Sequence, residues 1–100
     1  MEIGVERNLP QIKQLMMQYG VERAFLFGSA ATDTMTATSD VDFIIKFPDG
    51  LNYVTYADNY FALADALELL LKRNVDLVTE KTLKNPYLVQ HINRHKLQLI

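Results

Sequence analysis

The sequence predicts an α/β domain, a small mixed sheet with flanking helices, and three observations predict it. Short apolar runs bounded by Gly, Pro or Asn recur at Val21 to Phe27, Asp40 to Phe47 and Val75 to Val78. Longer segments with apolar side chains at helical spacing separate them. The resulting alternation of helix and strand is the pattern of helices layered on a sheet rather than of a bundle or a sandwich.

Taken in order, residues 9 to 20 place Leu9, Ile12, Leu15, Met16 and Tyr19 on one helical face. Asn8 is positioned as an N-cap, Pro10 lies in the first turn and Gly20 ends the segment. Val21 to Phe27 is too short for a stable helix and reads as the first strand, closed by the Gly28-Ser29 turn. Ala30 and Ala31 then open a short helix whose free N–H groups would face back toward that turn, a geometry suited to anions. Asp33 to Thr38 is polar loop. Asp40 to Phe47 is the second strand, stopped by Pro48-Asp49-Gly50. Tyr53 to Arg73 carries Tyr56, Tyr60, Leu63, Ala64, Leu67, Leu70 and Leu71 at helical spacing, with Asn74 at its end. Val75 to Val78 is a third strand, Pro86 opens a last helix running to about His95, and Leu97 to Ile100 is a short apolar tail.

A chain of 100 residues is one domain, residues 1–100, near the size where burial leaves little stability to spare. Its 49% hydrophobic content exceeds what so small an interior absorbs, so part of the surface is expected to meet a partner, either another copy or a different chain. A net charge of −2 argues against a broad basic face for nucleic acid. Lys72, Arg73, Lys81 and Lys84 read as solvated surface, though some could meet an acidic or RNA-bearing partner. There are no cysteines, hence no disulfide frame and no thiolate chemistry, as expected of a cytoplasmic protein. No stretch has the length or composition of a membrane span or export signal.

The informative stretch is Phe25 to Phe43. Asp-x-Asp within a strand directs Asp40 and Asp42 to one face while Val41, Phe43, Ile45 and Phe47 point to the other, into a core. Like charges side by side repel, and Asp is a poor strand former, so a cation between them is the simplest explanation. In the third strand Asp76 faces opposite to Val75 and Leu77. Should the second and third strands be neighbours, all three acids share a cleft with Gly28-Ser29 at its rim. Such a set suits metal-dependent phosphoryl or nucleotidyl transfer, in which hard oxygen ligands hold two Mg²⁺ ions and a backbone turn cradles phosphates. Gly28-Ser29 lacks the Gly-Lys-Ser/Thr of a P-loop. His91 and His95 are four apart, but Ile92 follows His91 where the base of a zinc protease motif would stand, so a surface pair is expected. Tyr53, Tyr56 and Tyr60 could stack on a base, though helix packing explains their spacing as well.

Gly28-Ser29, nine residues, Ser39-Asp40-Val41-Asp42-Phe43, then a long helix and Val75-Asp76-Leu77-Val78 resemble the minimal nucleotidyltransferases of the DNA polymerase beta superfamily. Within it, the nearest likeness is to the MNT antitoxins paired with HEPN-domain toxins. The resemblance implies a polymerase beta-like nucleotidyltransferase fold. It implies Gly28, Ser29 and Ser39 on the nucleotide, Asp40, Asp42 and Asp76 as metal ligands and catalytic carboxylates, and Mg²⁺ with ATP. It also implies transfer of AMP to a tyrosine hydroxyl of a HEPN toxin, which silences the toxin. The family usually reads Gly-Ser-Arg-Ala-x-Gly, and here Ala30 and Asp33 replace the Arg and the second Gly while Ala31 is kept. Losing the arginine removes one cation for the triphosphate. The alternative is a catalytically degenerate binding module that neutralises its partner by complex formation.

Overall fold

The computed structural model describes residues 3–28 and 40–100. Helices α1 (Ile3–Arg7) and α2 (Leu9–Gln18) precede strand β1 (Arg23–Phe27), and β2 (Val41–Lys46) follows. Helix α3 (Tyr53–Leu71) leads to β3 (Val75–Thr79), a single 3₁₀ turn at Glu80–Thr82, helix α4 (Pro86–His95) and β4 (Leu97–Gln98). The strands form one sheet in the order β3-β2-β1-β4. β1 pairs antiparallel with both β2 and β4, while β2 and β3 run parallel, the long α3 crossover supplying the connection that a parallel pair needs.

Period-two burial along β2 shows why both sheet faces are covered. Val41, Phe43 and Ile45 are fully buried on one face with Ala24, Leu26 and Leu77, against Val5 of α1, Ile12 and Met16 of α2, and Leu63 and Leu67 of α3. Ile44 turns to the other face and packs with Phe25 beneath Ile92 of α4. Among the described residues, three helices therefore cover the main core, and one covers a smaller apolar cluster behind the sheet.

Several boundaries differ from the sequence reading, each for a local reason. The chain is already helical at Ile3, and Asn8 stands at the N-cap position of α2 as expected but makes no side-chain capping bond there: its side chain donates to Gly4 O at 2.8 Å and its N–H to Val5 O at 3.2 Å, closing α1. β1 begins at Arg23 rather than Val21 because the Val21 N–H is still held by Met16 O at the end of α2. α3 stops at Leu71, where Lys72 takes a left-handed conformation (φ 55°), so Asn74 is not its cap; the Asn74 carbonyl instead accepts the Val41 N–H at 2.9 Å. At its start, the Asn52 carboxamide oxygen accepts from Val54 N and Thr55 N, a side-chain N-cap the sequence reading had not assigned. The apolar tail adds a fourth strand, with Leu97 opposite Leu26 and the Leu99 N–H bonded to Ala24 O. Tyr56 and Tyr60 pack against the core, Tyr56 edge-on to Phe47, whereas Tyr53 is 83% exposed and belongs to no packing face. Among the described residues no helix is long and apolar enough to cross a membrane.

Candidate active site

The acidic residues come together through strand register. β2 and β3 pair in parallel with Asp42 opposite Asp76, so the two carboxylates stand side by side on neighbouring strands, which lie about 4.8 Å apart in any sheet. Alternation puts Asp42 on the face shared by Ile44, behind the main core, at the end of the strand where Asp40 enters it. Across the antiparallel pair, Asp42 is opposite Phe27, the last residue of β1. The next residue is Gly28, in a left-handed conformation (φ 73°), and a Cβ there would lie 2.5 Å from Asp42 Oδ2. Only glycine satisfies both demands, the positive φ and the passage of the chain directly over a carboxylate oxygen.

The electrostatics follow from this crowding. Burial pushes the Asp42 pKa up from the ordinary 3.8 to about 6, and the charges of Asp76 and then Asp40 add to the rise. Asp42 is half-buried while Asp40 and Asp76 are exposed, so the cost of desolvation falls on Asp42. Among the described residues, no three acidic, histidine or cysteine side chains are gathered closely enough to hold one metal ion as they stand. The donor chemistry nevertheless fits a hard divalent cation: the side chains offer carboxylate oxygens, Asp40 and Asp76 both act on half-buried Asp42, and a cation would relieve their repulsion.

Four of the six residues singled out from sequence, Gly28, Asp40, Asp42 and Asp76, thus meet at one end of the β1-β2-β3 strands. Ser29 and Ser39, and with them Ala30 and Asp33, lie outside the described residues. One further contact carries no signal in the sequence. Tyr60 of α3 donates its hydroxyl hydrogen to Leu77 O, next to Asp76, and its pKa is raised by burial first and then by the charge of Asp76. No spacing rule links residues seventeen positions apart, so only the packing of α3 on β3 reveals it. A groove of about 380 Å³ runs between α3 and β3, lined by Tyr53, Tyr56, Ala57, Tyr60, Phe61 and Leu77–Thr79 among others, and it shares no lining residue with the acidic set.

Comparison with known proteins identifies the family and the fold. Residues 9–98 match the family model described as "Nucleotidyltransferase domain". A candidate protein adenylyltransferase of Methanocaldococcus jannaschii is 33% identical over 94 residues, covering 86% of this chain and 92% of the relative. Among solved structures, a candidate minimal nucleotidyltransferase superposes with a TM-score of 0.72 at 28% identity, covering 97% of this chain and 95% of the other. A toxin–antitoxin complex crystallised with AMP-PNP contains a chain that matches with a TM-score of 0.73 at 26% identity, covering 93% of this chain and 73% of that one. With nearly its whole length matched and a mixed sheet that gathers acids from two parallel strands beside a strand-ending glycine, this chain belongs to the nucleotidyltransferase domain family, as an enzyme of that class with the minimal nucleotidyltransferase fold.

Proposed function

We propose that this chain is an Mg²⁺-dependent protein adenylyltransferase, moving AMP from ATP to a tyrosine hydroxyl of a HEPN-domain toxin and so acting as that toxin's antitoxin. One observation carries the reading: Asp42 and Asp76 are in register on neighbouring parallel strands, with Gly28 lying against Asp42. The relative named for protein adenylyl transfer and the toxin–antitoxin structure with AMP-PNP support the choice of nucleotide and of a protein acceptor. The residues quoted above as resembling MNT antitoxins support a HEPN partner.

In this reaction the acceptor oxygen forms a bond to the α-phosphorus of ATP, the bond from that phosphorus to the β-phosphate bridging oxygen breaks, and pyrophosphate leaves. Asp40 and Asp42 would hold the cations, joined by Asp76. Bound there, Mg²⁺ supplies neutralisation of the charge that builds on the phosphoryl oxygens and the leaving group. Asp76, exposed beside Asp42, orients the acceptor hydroxyl and draws its proton as the new bond forms. Gly28, Ser29 and Ser39 would bind the phosphates of the nucleotide, as the family resemblance implies.

Incubation with labelled ATP, Mg²⁺ and the cognate HEPN protein should label the latter on tyrosine. Replacing both acids (Asp40→Asn with Asp42→Asn) should abolish labelling, and undiminished transfer by that variant would refute the assignment. The sequence departures at Ala30 and Asp33 favour a second reading, a binding module without transfer. The same double variant separates the two, because a pure binder would still protect cells from the toxin.

A further inference from the structure

Asp76 sits on β3, which is an edge of the sheet, so among the described residues no strand pairs on its outer side. In a parallel ladder the N–H and C=O of one residue point to the same side, and successive residues alternate. The Asn74 carbonyl accepts from Val41 N, which turns the peptide groups of Asn74, Asp76 and Val78 toward β2 and those of Val75, Leu77 and Thr79 outward. Two of these outward carbonyls are met by side-chain hydroxyls. Tyr60 of α3 donates to Leu77 O, and Thr82 Oγ1 donates to Thr79 O at 2.9 Å.

The two ties do different work. Thr82 lies three residues beyond its acceptor and closes the local 3₁₀ turn, at the end of β3 away from Asp76. Tyr60 spans from a different element. Its helix is fixed in the core by Leu63 and Leu67, its ring stands edge-on to Phe61 with centroids 5.2 Å apart, and its hydroxyl reaches the residue that directly follows Asp76. The repulsion between Asp42 and Asp76 works against their alignment, and among the described residues the ladder, the burial of Leu77 and Thr79, and these ties hold β3 in place. The geometry points to Tyr60 as a positioning residue for the carboxylate set: its hydroxyl holds β3 at Leu77 so that Asp76 stays aligned with Asp42 and the acids can share a divalent cation. This inference rests on the reading of Asp40, Asp42 and Asp76 as a cation site.

The test uses Tyr60→Phe, which keeps the ring and removes the hydroxyl, and reads Mn²⁺ binding directly by electron paramagnetic resonance without nucleotide or acceptor. The dissociation constant should rise about ten-fold, the size typical of losing a group that orients a metal ligand. Thr82→Val removes the other tie to the same strand and should stay within about two-fold of the unaltered protein even where it lowers the melting temperature as much. Asp42→Asn should abolish binding. Unchanged Mn²⁺ affinity in Tyr60→Phe, with binding lost in Asp42→Asn, overturns the role of Tyr60 and leaves the cation site standing. Equal weakening by Tyr60→Phe and Thr82→Val, or unfolding of Tyr60→Phe, assigns the hydroxyl to the fold and overturns the proposal. Undiminished binding by Asp42→Asn removes the site and this inference together.

Discussion

Asp42→Asn should make the protein more stable at neutral pH, and the size of the gain can be worked from its surroundings. The Asp42 pKa is about 6 in the folded protein against an ordinary 3.8. Between those values the folded state holds more protons than the unfolded one, so stability falls as pH rises through the window and levels off above it. At about 1.4 kcal/mol per pH unit the full difference is about 3 kcal/mol. Asp42 is only half-buried, so screening by solvent reduces this to about 1–2 kcal/mol. For a domain of this size that is a rise in melting temperature of about 5–10 °C. Thermal melts followed by circular dichroism at pH 7.5, without divalent cations, should show this gain, and the gap between the variant and the unaltered protein should close below about pH 4. A variant that is less stable at pH 7.5, or whose advantage is the same at pH 3.5, would refute the argument that unrelieved charge at Asp42 opposes folding.

The same electrostatics predict that Mg²⁺ stabilises the unaltered protein. At a concentration ten times its dissociation constant the gain is about 1.4 kcal/mol, reversed by EDTA and absent in Asp42→Asn, as differential scanning calorimetry can check. Gly28→Ala should destabilise by about 1–2 kcal/mol from its left-handed backbone alone. Because the added Cβ would meet Asp42 Oδ2 at 2.5 Å, transfer activity should fall further than the folded fraction does, and parallel losses in melts and labelling assays would argue against a carboxylate displaced from its place. Asn52→Ala removes the oxygen that accepts from Val54 N and Thr55 N and should lower stability by about 1 kcal/mol in urea titrations, with little effect on cation binding, since the cap lies at the far end of α3 from the residues that follow into β3.

Much of this site was legible because it is written in local spacing. Asp42 on one face of β2 and Phe43 and Ile45 on the other follow from the pleat alone, and the burial of those apolar side chains agrees with it. That Asp76 belongs with them required the two strands to be neighbours, which the α3 crossover provides. Elements that depend on tertiary support were not legible. α1 has five residues and β4 has two, too few for pattern or propensity to register; α1 is held by the burial of Val5, and β4 by its pairing to β1 and the burial of Leu99. The end of α3 was misjudged because Lys72, a residue with no preference for left-handed backbone, adopts it. Gly28 was recognised as a turn residue, but its contact with the Asp42 oxygen is a fact of β1-β2 register. Ser29 and Ser39 remain expectations from resemblance.

The parallel pairing of β2 with β3 also sets the order in which the acids can meet. β1 and β2 can close as a local antiparallel pair that already carries Asp40 and Asp42, but Asp76 arrives only after the whole of α3 has been made and laid across the sheet. Contacts so distant in sequence form late, because the loop must be closed before they are rewarded. Leu63, Leu67 and Leu77 share the core that the pairing of β3 with β2 completes. The burial that completes the fold is therefore what presses two like charges together. A chain folded only as far as β2 would be a pair of strands without a third acid, and the crowding of Asp42 by Asp76 exists only in the finished domain.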